Sequence, residues 1–124
     1  MPKNYENDYV RYEFKDSLLY ITYKDGLSID YDAACIIVDD RLTIQSYRPH
    51  VIICNVSNLN HVDLDAREYL ATYGSNLAKA VALYSTTHTM RNLADSFVTI
   101  YKPIVPTEIF NNLEESESFA KKYI

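Results

Sequence analysis

The chain has no tryptophan, two glycines, two cysteines and four prolines among its 124 residues. It also has no apolar run near the roughly 18 residues that a membrane-spanning helix needs. Each scarcity removes a class of protein. Little glycine and proline beside 48% hydrophobic residues excludes a fibrous or low-complexity chain and points to one compact domain. Gly26 and Gly74 stand alone, so there is no glycine-rich phosphate loop, and no G-x-S-x-G nucleophile elbow occurs. Cys35 and Cys54 form no metal or redox spacing and are expected to be buried, reduced thiols. Cations are scarce and dispersed: 12 Lys and Arg oppose 17 Asp and Glu, and only Lys121 and Lys122 are adjacent. Nucleic-acid binding, which needs clustered cations, is therefore not expected. The first eight residues are polar and lack an apolar signal core, so a cytoplasmic location is expected and that segment should be frayed.

What is abundant is tyrosine, at 12 residues, best read as half-buried rings with a polar tip. Periodicity supplies the fold. Residues 9–15 alternate, with Val10, Tyr12 and Phe14 against Arg11, Glu13 and Lys15, and residues 18–23 form a second strand across an Asp16-Ser17 turn. From 29 to 47 the period becomes helical, with Ile29, Ala33, Ile36, Ile37 and Ile44 facing the core. Residues 51–56 are almost wholly apolar, as in a strand covered on both faces. A helix over 64–73 is predicted to turn Ala66, Tyr69, Leu70 and Tyr73 inward, and 80–84 is a short buried strand. Met90, Leu93, Ala94, Phe97, Val98 and Tyr101 make an unbroken helical stripe. A strand over 107–110 and a helix opened by Asn112 complete the chain. The order ββαβαβαβα implies a single α/β domain over 9–124, with an open, mostly parallel sheet behind an N-terminal antiparallel hairpin.

The stretch of greatest chemical interest is N-L-N-H-V-D-L-D-A-R-E, residues 58–68. Its acids fit a helix start, with Asp63 as the cap and Asp65 and Glu68 near the positive end of the helix dipole. A metal site from His61, Asp63 and Asp65 lacks a second His or Cys cluster, so no metal and no cofactor are expected. The least implausible hydrolytic set, His61, His88, Asp63 and Asp65, has no recognised nucleophile, and an enzyme is not expected.

The segment from Asn55 to Ala66, set between an apolar strand and a helix, resembles the phosphorylation loop of the STAS domain, the family of bacterial anti-sigma-factor antagonists. There the loop reads roughly D-[LV]-x-x-[VL]-x-x-[ILM]-D-S-[ST]-G, and a partner kinase phosphorylates the second hydroxyl residue. Asp63 matches the motif aspartate. Asp65 stands at the phosphoacceptor, Leu64 precedes it and Ala66 replaces the glycine, so the resemblance implies the surface without its phospho-switch. Asp65 carries one fixed negative charge where a phosphate would add about -1.5 to -2. The C-terminal half resembles the STAS-like branch that shares its fold with Sec14-type lipid carriers.

Together these readings lead to a non-enzymatic regulatory module that binds another protein through Asn58, Asn60, His61, Asp63, Asp65, Arg67 and Glu68. The resemblance implies an anti-sigma factor or kinase-like regulator as partner; a homodimer is the other form considered. The alternative is a carrier or sensor of a lipid or other apolar small molecule, with Met90, Phe97, Tyr101 and Phe110 lining a cleft.

Overall fold

The computed structural model describes residues 4–124. Its main sheet has six strands in the order β1-β2-β3-β5-β7-β8. These are β1 (Asn4–Glu6), β2 (Val10–Lys15), β3 (Leu18–Tyr23), β5 (His50–Asn55), β7 (Ala78–Tyr84) and β8 (Thr107–Phe110). The first three run antiparallel, and the pairings from β3 through β8 are parallel. Two residues each from β4 (Ser28–Ile29) and β6 (His61–Val62) make a separate parallel pair. Helices are α1 (Tyr31–Ile44), α2 (Leu64–Thr72), α3 (His88–Ser96) and α4 (Leu113–Ala120).

The open, mostly parallel α/β sheet with its N-terminal hairpin is as the periodicity implies. In β5, Val51, Ile52 and Ile53 are all at most 2% exposed, because helices cover both faces. Strand β2 buries one side only: Val10 and Tyr12 point in, while Arg11, Glu13 and Lys15 face water. The hairpin turn places non-glycine Asp16 and Ser17 at φ 52° and 70°, the backbone twist that a two-residue turn between right-twisted strands requires. Part of the segment expected to be frayed is paired, since Asn4–Glu6 register against Glu13–Arg11 as an edge strand; residues 1–3 lie outside the described residues.

One face of the sheet packs on α1, α2 and α3 through Leu19, Ile21, Ile52 and Cys54. The other packs on α4 through Leu18, Val51, Ile53, Ala80 and Ala82 against Phe119 and Ala120. Tyrosine tips find partners: the buried Tyr12 hydroxyl donates to the Ile37 carbonyl at 2.6 Å, and that of half-buried Tyr20 to Glu117.

Several side-chain assignments are corrected. Ile36 is 42% exposed, because the buried stripe of α1 runs through Ala33, Ala34, Ile37, Val38, Arg41 and Ile44. Tyr73 is 57% exposed, and Ala71 is buried instead. Helix α1 ends at Ile44, three residues before Tyr47, because the buried Gln45 amide donates to the Arg48 and Leu77 carbonyls and holds a turn there. After α3 the backbone continues as a π-helical stretch, Phe97–Tyr101, closed by Lys102 at φ 48°. Among the described residues no helix is long and apolar enough to cross a membrane.

Candidate functional site

The pair β4–β6 sets the geometry of the 58–68 stretch. Ser28 registers with His61 and Ile29 with Val62, so the residues that follow, Asp30 and Asp63, open α1 and α2 side by side. Backbone bonds pin the two loops together: Gly26 N–H to the Asn58 carbonyl, Asn60 N–H to Leu27 and Asp63 N–H to Ile29, each 2.9 Å. The Asn60 amide adds a bond to the Gly26 carbonyl at 3.2 Å. Gly26 sits at φ +69°, where its lack of a Cβ matters.

The two helix starts differ. Asp30 caps α1, accepting the Ala33 N–H at 2.8 Å. Asp63, expected to cap α2, makes no side-chain cap bond. Its Oδ1 lies 3.2 Å from His61 Nε2 instead, both side chains about half exposed. Asp65 is exposed in the first turn and accepts the Ala66 N–H at 2.9 Å. Arg67 folds back, its Nε–H donating to the Val62 carbonyl at 2.8 Å. Asn58, Asn60 and Glu68 are exposed. His61 and Asp63 therefore meet, whereas Asp65 and Arg67 are each directed to backbone. His88 pairs with Arg91 at the start of α3, Nδ1 to Nη2 at 3.3 Å.

An aromatic ladder runs beside this edge. Tyr31 meets Tyr69 edge-on at 5.4 Å between centroids, and Tyr69 meets Tyr73 at 5.0 Å. Cys35 contacts both Tyr31 and Tyr69; burial, then its thiol's hydrogen bond, push the Tyr69 phenol up to about 12. Leu64, in the first turn of α2, is 65% exposed. Tyr69, expected to face inward, is partly buried and packs against the core, whereas Tyr73 is exposed; Leu64 and Tyr31 were given no part. The signal lay in the parallel β4–β6 pair, too short to be read from periodicity, which brings α1 and α2 together.

The apolar set divides. Met90 and Phe97 line a cavity of about 120 Å³ between the sheet and α1–α3, with Ile37, Ile52 and Val81 among the other walls. Tyr101 stacks on Phe97 at 6.1 Å without lining it. Phe110 packs on Phe119, on the α4 face. Strand alternation is the reason: in β8, Ile109 and Phe110 point to opposite faces.

Among solved structures, an uncharacterised protein of the DUF3478 family from Shewanella loihica PV-4, described as having a SpoIIAA-like fold, is similar to this chain. The TM-score is 0.60 at 12% identity, over 94% of this chain and 98% of that one. At that identity the likeness concerns the fold, which is SpoIIAA-like, of the STAS type. No match was found among curated proteins. Residues 12–124 match the family model described as a domain of unknown function, DUF7793, and the chain belongs to that family.

Proposed function

We propose that the chain is a non-enzymatic regulatory module that docks another protein on the paired starts of α1 and α2. The observation that carries this reading is the exposure of apolar side chains at that edge, Leu64 at 65% and Tyr31 at 46%, with Tyr73 at 57% exposed at the far end of α2. Asp32, Asp65 and Glu68, all exposed, stand on the same two helices. An apolar centre with a polar rim is the usual anatomy of a protein contact, and tyrosine is favoured there. The fold supports the reading by analogy, since in the STAS family the start of the same helix carries the switch. Asp65 provides a permanent charge at that point, so partner binding would not be gated by phosphorylation there. An anti-sigma factor or kinase-like regulator is the partner class this analogy favours, with a second copy of the chain as the other form, and the cytoplasm is the compartment that suits it. The half-exposed His61–Asp63 pair, on an open edge without a neighbouring nucleophile, supports binding over catalysis.

The test is a photo-crosslinking residue placed at Leu64 in the source cell, with Glu114 on α4 as control. A protein adduct at 64 that is absent at 114 and lost on Asp65→Lys is expected. Equal adducts at both positions, or none at 64, would refute the docking edge.

A further inference from the structure

The cavity beneath α1–α3 has a charged wall that packing alone does not call for. Two of its lining residues are charged, Arg41 and Arg67; none is Asp or Glu, in a chain whose net charge is -5. Arg41 is 3% exposed. Its guanidinium donates from Nη1 to Gln45 Oε1 at 2.5 Å and from Nη2 to the Gly74 carbonyl at 3.0 Å. Both acceptors are neutral. Among the described residues no carboxylate lies within ion-pair distance of it. A buried cation is ordinarily matched by an anion, because neutral acceptors recover only part of its lost hydration.

We infer that this cavity binds a small apolar carboxylate, with Arg41 supplying the counter-charge. Its volume sets the size. A 150 Å³ cavity lined by aliphatic and aromatic groups holds benzene, so about 120 Å³ suits roughly five to six non-hydrogen atoms. The walls set the chemistry: Ile37, Ile52, Val81, Met90 and Phe97 suit a hydrocarbon body, and the guanidinium fork suits a planar two-oxygen head. No wall group supplies the missing charge internally, since burial pushes the Cys54 thiol up to about 12 and raises the Tyr23 phenol as well. Gln45 and Gly74 hold the fork in place beforehand, which lowers the ordering cost of binding. The wall formed by Phe97 belongs to the π-helical stretch, which buries no residue fully and is therefore the least anchored side of the cavity.

Butyrate and isobutyrate, with 1-butanol and isobutanol as uncharged counterparts, test this on the full chain by NMR titration. The acids are expected to bind at least about tenfold more tightly than the alcohols, the size of one charge-assisted pair. In wild type, butyrate is also expected to shift the Arg41 Nε–H resonance. Arg41→Met should bring the acid-to-alcohol ratio near one, and Ala94→Phe, which fills the cavity from α3, should abolish binding of all four. Alcohols binding as tightly as acids, absence of binding in wild type at millimolar ligand, or binding that survives Ala94→Phe would each overturn the inference. Should Arg41→Met fail to fold, the wild-type resonance and Ala94→Phe still decide it. The cavity shares Arg67 with the α1–α2 edge, but ligand titration needs no partner and crosslinking needs no ligand, so each result stands or falls by itself.

Discussion

The two faces of the sheet are filled in different ways. On one, a single helix closes down: Ala80 and Ala82 of β7 and Ala120 of α4 are each 0% exposed, and these small residues let α4 sit close while Phe119 fills the gap. On the other, three helices share a wider surface and meet imperfectly, leaving a cavity and a buried arginine. A face closed by one helix can be packed to completion with a few alanines and one ring. A face shared by three helices keeps room between them, and that room is where binding can be added to a fold.

The largest expected effect follows directly. Phe119→Ala removes the main filler of the tight face and should cost about 3–5 kcal/mol. Phe97→Ala, on the half-buried wall of the cavity, should cost less than half as much. Urea unfolding of both variants measures the contrast. Equal losses would show that the two faces are packed alike.

The looser face also holds ionisable groups neutral by burial. Cys54 rises from 9.0 to about 12, so between those values the unfolded chain has released its thiol proton while the folded chain keeps it. Stability on this account is complete below about pH 9 and is lost as the pH climbs towards 12. The shift caps this contribution at roughly 4 kcal/mol. Buried Tyr12 and Tyr23 are raised too and add to the same slope. Cys54→Val should flatten the decline in melting temperature between pH 9 and 11 while leaving the tyrosine share. A profile as steep as wild type would remove Cys54 from the account.

Within that face, the two helix starts repeat the contrast on a smaller scale. Asp30 makes the cap bond that Asp63 does not. Asp30→Ala should therefore cost about 1 kcal/mol. Asp63→Ala should cost a few tenths, since an exposed pair with His61 contributes little. Chemical denaturation of the two variants is the measurement; a larger loss at Asp63 would mean that its carboxylate supports α2 in solution.

Where the sequence carried two signals at once, it was legible. Strand β5 is apolar throughout and bounded by turn residues, and α1 combines a helical period with a proline, Pro49, beyond its end, so both were placed within a few residues. Faces were read less well. Arg41 lies four residues beyond Ile37 on the buried stripe, yet its charge argues for water, and periodicity outweighs residue type there because Gln45 and Gly74 receive its donors. Ile36 and Tyr73 show the reverse: apolar in type, but off the stripe and exposed. The apolar stripe over 90–101 was legible, but the change to π-helical geometry after Ser96 was not, because it alters hydrogen bonding and leaves the apolar pattern intact. Two-residue strands such as β4 and β6 are too short to show alternation, and with them went the side-by-side placement of the starts of α1 and α2.

Asp65, like Asp63, carries only a small effect on stability. Its side chain is exposed and bonds the N–H of the next residue, so little of the fold depends on it. Its first-turn position lets the dipole of α2 favour its charge by about 0.3–1 kcal/mol, screened at this exposure. Asp65→Ser keeps a short oxygen at the helix start and should change stability by less than about 0.5 kcal/mol. Asp65→Lys reverses the charge against the dipole and should lose somewhat more, within about 1 kcal/mol. Asp65→Lys should nevertheless abolish the adduct formed at Leu64 and Asp65→Ser should weaken it, because the permanent charge beside that side chain is what a basic partner rim would read. If Asp65→Ser instead unfolds the chain, the carboxylate belongs to the fold. If neither variant alters the adduct, the charge at this edge takes no part in docking.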